Sequence, residues 1–202
     1  MNNHQKTNMQ HNASTLYTTD NSHPKYFDIS ILRLIVMDIT TLGLYTMYWF
    51  YRNLKAIKRP CQSNIVLFLK AVFNMFFAYP LFTSMANSII HTYPEKKHCL
   101  KQAQVCGWIY GLSSIASFGL GVVQVPYFVN VGMYVGRLLI LCLIQRNVLW
   151  HHAKVTPNYK PIQNFTMAEV LLIVVGMLLF MLVFFSLLYT AGMATANNPA
   201  NA

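Results

Sequence analysis

After Glu169 the chain runs from Val170 to Ala191, VLLIVVGMLLFMLVFFSLLYTA, without one charged residue. A helix needs about 20 apolar residues to cross a bilayer, so this stretch alone sets aside an ordinary soluble fold. The whole chain agrees: it is 55% hydrophobic and only 10% charged, with a mean hydropathy of +0.38, too apolar for a typical soluble domain. Four or five crossings at about 20 residues each would use roughly half of the chain. No soluble catalytic domain fits in what remains.

Five apolar segments are legible, at 29–51, 65–90, 106–125, 127–149 and 168–191. They define a helical membrane domain over 26–191. Residues 1–25 are rich in Asn, Gln, His, Ser and Thr and lack the apolar run of about 7–15 residues that a signal peptide needs, so a disordered polar tail is expected. Residues 192–202 read as a second flexible tail.

The stretch TTLGLYTMYWFYRNLKAIKRP (40–60) changes character along its length, from apolar to aromatic to basic. That order predicts a helix leaving a bilayer, with Tyr48, Trp49 and Tyr51 as an interfacial belt. Arg52, Asn53, Lys55, Lys58 and Arg59 then form a basic clamp at the headgroups.

The segment 65–90 carries Lys70 and Asn74, is interrupted by Pro80, and ends in Thr83, Ser84, Asn87 and Ser88. Cytoplasmic loops are enriched in Lys and Arg, and this arbitrates. If 65–90 crosses, Arg52, Lys55, Lys58 and Arg59 are separated from Lys96, Lys97, Lys101, Arg146, Lys154 and Lys160. If it does not, all of these cations share one face, with Trp49, Trp108 and Trp150 at the same interface. The expectation is therefore an all-α polytopic membrane protein with four spans plus one interfacial or re-entrant helix; five spans is the alternative. Both chain ends would then lie opposite the basic loops.

The segment YFDISILRLIVMDITTLGLYTMYWFYRNLKAIK resembles the opening of a family of small uncharacterised bacterial inner-membrane proteins. These share a Thr-Leu-Gly-x-Tyr turn and a Tyr-Trp-Phe-Tyr-Lys-Asn-Trp-like exit. VLFLKAVFNMFFAYPLF, LLILCLIQRNVLW and NFTMAEVLLIVVGMLL resemble later pieces of that family in the same order, so that the likeness covers 26–188. It departs at Leu54, where the family tends to have Trp, and in the long polar amino-terminal tail. The resemblance implies architecture and a bacterial inner-membrane location, and brings no activity with it.

The charged residues taken to lie within the expected spans, away from the segment ends that carry Arg146 and Glu169, are Arg33, Asp38 and Arg137. Each costs about 2.5–3.5 kcal/mol at a helix centre on insertion scales. Arg33 is near its helix start and is expected to snorkel. Asp38 lies about 140° around a helix from Arg33, so a different partner is expected, and an Asp38–Arg137 ion pair tying the first span to the fourth is the hypothesis. Gly107 and Gly111, and Gly132 and Gly136, are four apart, a spacing that lets helix backbones approach closely. With a turn at Pro126, Gly121 falls level with Gly132 and Ser117 with Gly136, which predicts a close hairpin; dimerisation through Gly107 and Gly111 is the alternative.

Catalytic chemistry finds no foothold. Ser113, Ser114 and Ser117 have no base near them in sequence, and no phosphate loop or zinc-protease motif occurs. Cys61, Cys99, Cys106 and Cys142 show no C-x-x-C spacing, and His91, His98, His151 and His152 match no ligand set. No cofactor, metal site or enzymatic activity is expected. The net charge of +10 flanks apolar segments, which points to lipid and not to nucleic acid. The expected function is non-enzymatic: engagement of the anionic leaflet or a membrane-protein partner through a basic cytoplasmic face. A small homo-oligomeric channel or transporter is the alternative.

Overall fold

The computed structural model describes residues 26–57, 62–120, 126–155 and 165–196, and among these every regular element is helical. The order is α1 (Ile31–Thr40), α2 (Leu44–Ala56), α3 (Asn64–Val72), α4 (Asn74–Thr92), a 3-10 turn (Pro94–Lys96), α5 (His98–Leu120), α6 (Tyr127–Val155) and α7 (Met167–Ala196). Local chemistry sets several starts. Ser30 and Ser63 cap α1 and α3, accepting hydrogen bonds from Arg33 N and Ile65 N. Thr166-x-x-Glu169 is a capping box: Glu169 N donates to Thr166 Oγ1 at 3.4 Å while Glu169 Oε2 accepts from Thr166 N at 2.8 Å.

The first apolar segment is two helices and not one. α1 ends in a turn in which Gly43 N donates to Asp38 O and Leu42 N to Ile39 O, with Leu42 at φ 51° and Gly43 at φ 87°. This is a Schellman termination, and it reverses the chain. Phe27 N then meets Asn53 Oδ1 near the open end, Arg33 and Tyr45 meet on Glu169 midway, and Asp38 meets Thr46 at the tip. The pairs climb one helix as they descend the other, so α1 and α2 form an antiparallel hairpin. The straight first span expected from hydropathy is thereby corrected. Tyr26 lies at the same end as Arg52 and Lys55, not at the opposite one, because a helix that turns back returns its exit to the side of its start.

The segment 65–90 is also broken, by 109° between α3 and α4. The bend falls at Phe73, whose ψ of 41° leaves the helical region, and α4 continues through Pro80, the position at which the break was expected. α4 and α5 form a tight antiparallel pair. A Cβ on Gly107 would lie 2.6 Å from Tyr79 Cα, and one on Gly111 2.7 Å from Met75 O, so only glycine lets these backbones meet.

α6 over Phe128–Val155 and α7 over Met167–Ser186 are long and apolar enough to cross a membrane; the bent α3–α4 pair counts as a third candidate if taken as one span. α5 has 23 residues, but Gln102, Gln104, Ser113, Ser114 and Ser117 dilute its apolar character. α7 exposes large apolar side chains on all sides, among them Leu171, Val174, Leu178, Leu182 and Phe185, as a lipid-facing helix does. Its contact with the other helices includes Gly176, where a Cβ would lie 2.6 Å from Thr41 Cα. The interior is aromatic: Phe50 lies 5.6 Å from Tyr110 and 5.9 Å from Phe82, with Trp49 on their flank.

Candidate functional site

The hairpin tip is organised by Asp38. Its Oδ1 accepts from Thr46 N at 3.0 Å and Thr46 Oγ1 at 2.7 Å, and its Oδ2 accepts from Tyr134 Oη at 2.8 Å. Thr41 Oγ1 accepts from Tyr45 N. Two side chains from the end of α1 thus satisfy free N–H groups in the first turn of α2, where a carboxylate also suits the helix dipole.

Asp38 does not make the expected ion pair with Arg137; its oxygens accept from Thr46 and Tyr134 instead. The two residues nevertheless line one cleft of about 420 Å³. The α1–α2 hairpin tip and the α3–α4 bend converge on it: Leu42, Gly43 and Leu44 from the first, and Val72, Asn74 and Met75 from the second. Tyr110, Ser114 and Ser117 of α5 and Tyr134 of α6 complete a polar wall. Arg137 Nη1 reaches Ser114 Oγ only at 3.5 Å, Ser114 is already donating to Tyr110 O, and Arg137 Nε is buried without a partner. An unsatisfied buried donor costs about 1–3 kcal/mol, and more when charged.

A second polar node was not singled out from the sequence. Arg33 is tied down, not snorkelling: its Nη2 lies 2.7 Å from Glu169 Oε2, and the two side chains are 10% and 1% exposed. Tyr45 Oη donates to Glu169 Oε1 at 2.7 Å, Tyr48 Oη is 3.2 Å from Thr166 Oγ1, and the Arg33 guanidinium sits over the Phe165 ring at 4.3 Å. The signal was present as Thr-Met-Ala-Glu before an apolar run, the pattern of a capping box.

The aromatic and basic motif divides. Trp49 and Asn53 are fully buried within the protein. Trp49 Nε1 donates to Gln145 Oε1 at 2.8 Å, and Gln145 Nε2 donates to the Phe27 and Ile29 carbonyls. The turn of the chain at 41–43 rotates this side of α2 toward α6, where a buried glutamine meets it. Tyr48 and Arg52 stay half-buried, with Arg52 4.7 Å over the Phe27 ring and donating to Tyr48 Oη. Tyr51 is half-buried and Lys55 exposed, and both line a cleft of about 600 Å³ with Asp28, Arg52 and Ala168. Lys58 and Arg59 lie outside the described residues.

The glycines also find other partners than expected. Gly107 and Gly111 pack on α4, so that face is closed to a second copy. Among the described residues, Gly132 and Gly136 have nothing within 4 Å of a Cβ and do not build the predicted α5–α6 contact; Gly121 lies outside the described residues. Small residues four apart announce a close approach without naming the neighbour.

Arg52, Lys55 and Lys96 stand at the ends of their helices. Tyr26 Oη donates to Ser88 Oγ of α4, Tyr93 packs on Trp150 and His151 of α6, and Lys96 lies 4.5 Å over the Trp150 ring. The ends of α2, α4 and α6 and the start of α7 are thus neighbours. Trp108, by contrast, is 60% exposed on the outer face of α5. No family model, no curated protein and no solved structure matches the chain.

Proposed function

We propose that this chain is an integral membrane protein that engages the anionic leaflet through its basic end. The observation that carries this reading is an alternation. The connections α2–α3, α4–α5 and α6–α7 hold Lys58, Arg59, Glu95, Lys96, Lys97 and Lys160, whereas α1–α2, α3–α4 and α5–α6 hold no charge. Exposed Lys55, Lys101, Arg146 and Lys154 add to the first end. Juxtamembrane cations are each worth about 1 kcal/mol against an anionic surface, and the asymmetry matches the enrichment of Lys and Arg in cytoplasmic loops.

In this arrangement α5, α6 and α7 cross, while α1–α2 and α3–α4 enter from the basic side and return. It differs from four spans plus one re-entrant helix in giving the first segment a re-entrant path as well. The depth fits. Gly176, which meets the first hairpin tip, lies nine residues beyond Met167, about 14 Å along the helix at 1.5 Å per residue and so near the middle of a hydrocarbon core about 30 Å thick. A bacterial inner membrane, with its anionic lipids, is the setting that the sequence resemblance brings to this reading. The 600 Å³ cleft beside Tyr51, Arg52 and Lys55 offers a headgroup a seat.

Reconstitution in nanodiscs tests the reading. Discs with phosphatidylglycerol are expected to stabilise the protein over purely zwitterionic discs, with the gain lost at high salt and in Arg52→Gln/Lys55→Gln. Equal stability in both discs at low salt would overturn it. A transporter or channel is the second reading, favoured by the convergence of the α1–α2 tip and the α3–α4 bend on a polar cleft. Broken helices in membranes are tolerated where they are buried in protein or line a cavity, and such cavities hold substrates.

A further inference from the structure

We propose that the cleft at the α1–α2 tip and the α3–α4 bend is a binding site for a small monoanionic carboxylate, with Arg137 as its anchor. Of the two charged residues there, Asp38 is complete: three donors surround its carboxylate. Arg137 is not. It has five N–H donors in a rigid fork, one long contact to Ser114 and a buried Nε without a partner. A fork of this kind matches the two oxygens of a carboxylate in parallel hydrogen bonds. The unmet requirement of the cleft is therefore an acceptor, and an anionic one.

Size and charge narrow the ligand. A volume of about 420 Å³ lies within the range of small-molecule sites, roughly 300–1,000 Å³. Asp38 shares the cleft, so a dianion such as a phosphate monoester would bring a second negative charge beside an existing one, whereas a monoanion uses only the Arg137 charge. Val72, Leu138 and Leu141 give the remaining wall an apolar character that suits a short aliphatic chain. Ser114 Oγ, beside the guanidinium, is placed to take part in holding an oxygen.

The site uses no residue of the basic end, so a failure of the leaflet reading leaves it standing, and the reverse. The test uses the full chain in maltoside micelles and hexanoate labelled with ¹³C at the carboxyl carbon, with empty micelles as the blank. A saturable carboxyl shift is expected. Arg137→Gln is expected to weaken binding about tenfold or more and Arg137→Lys to weaken it less, since Lys keeps the charge and loses the fork. Arg146→Gln, on the exposed side of the same helix, is expected to bind as the parent does. Ser117→Phe, which places a ring in the cleft and keeps Arg137, is expected to abolish binding and serves if Arg137→Gln fails to fold. Absence of a saturable shift in the parent, or its survival in both folded variants, would overturn the proposal. Displacement by chloride or phosphate as effective as by unlabelled hexanoate would overturn the carboxylate assignment.

Discussion

Replacing Glu169 with leucine tests how α7 is held to the rest of the chain. Glu169 is 1% exposed and accepts from Arg33, Tyr45 and Thr166. Removing one partner of a buried ion pair costs about 3–5 kcal/mol, because the other charge is left uncompensated. Loss of the acceptor for Tyr45 adds about 1 kcal/mol, so a destabilisation of about 4–6 kcal/mol is expected. Arg33→Met alone strands the carboxylate and loses the Phe165 contact. The double variant Arg33→Met/Glu169→Leu replaces both charges by apolar groups of similar size, and such replacements are often neutral or better. It is expected to recover at least about 2 kcal/mol of the summed single losses. Equilibrium unfolding in mixed maltoside and dodecyl sulfate micelles, followed by far-ultraviolet circular dichroism, reads all three. Additivity within about 0.5 kcal/mol, the behaviour of independent sites, would refute the claim that this pair docks α7.

Three further outcomes follow from the packing. Gly176→Leu forces a side chain into Thr41 Cα and Thr40 O and should lower the melting temperature measured by size-exclusion chromatography after heating; Gly132→Leu, with open space around it, should not. Gln145→Leu leaves Trp49 Nε1 and two carbonyls unpaired and should destabilise by about 3 kcal/mol or more, at 1–3 kcal/mol per stranded group, in the same unfolding assay. On a cysteine-free background, cysteines at Lys55 and Lys97 should react with an impermeant reagent from one face and a cysteine at Pro126 from the other. Reaction at Lys55 and Lys97 from opposite faces would eliminate the re-entrant α3–α4 pair.

What hydropathy conveys and what it conceals are both visible in the first segment. Averaging over 29–51 gives one apolar block, because Thr41, Leu42 and Gly43 are too few to interrupt it. The reversal depends on geometry at single residues: a positive φ at Leu42 and Gly43, and an Asp38 carboxylate within reach of the next helix. Gly just past a helical pattern is a stop signal, and it was legible in Thr-Leu-Gly-x-Tyr. Asp38 and Arg137 were recognisable as the costly residues, since charge in an apolar segment needs no structure to be noticed. Their partners were not, because Thr46 and Tyr134 look like ordinary residues of a helix until the chain folds back. Glu169 shows the converse: read as the last charge before a span, it is both the cap of that span and the acceptor for Arg33.

The two breaks have different chemistry, and the difference locates the open part of the cleft. At the first tip the turn closes its own hydrogen bonds, and Asp38 and Thr41 satisfy the start of α2, so nothing there requires a ligand. At the second tip Phe73 N still bonds Leu69 O and Phe76 N bonds Phe73 O, and no side chain caps the start of α4. Between the tips lies the guanidinium of Arg137, its Nε buried without a partner, and it sits too deep to reach a headgroup if Gly176 marks the midplane. An arginine at such depth is retained against a penalty of several kcal/mol, and a structural partner for it is missing in Asp38. The chemistry of the cleft is therefore set by Arg137 acting outward into the cavity, not by an internal salt bridge.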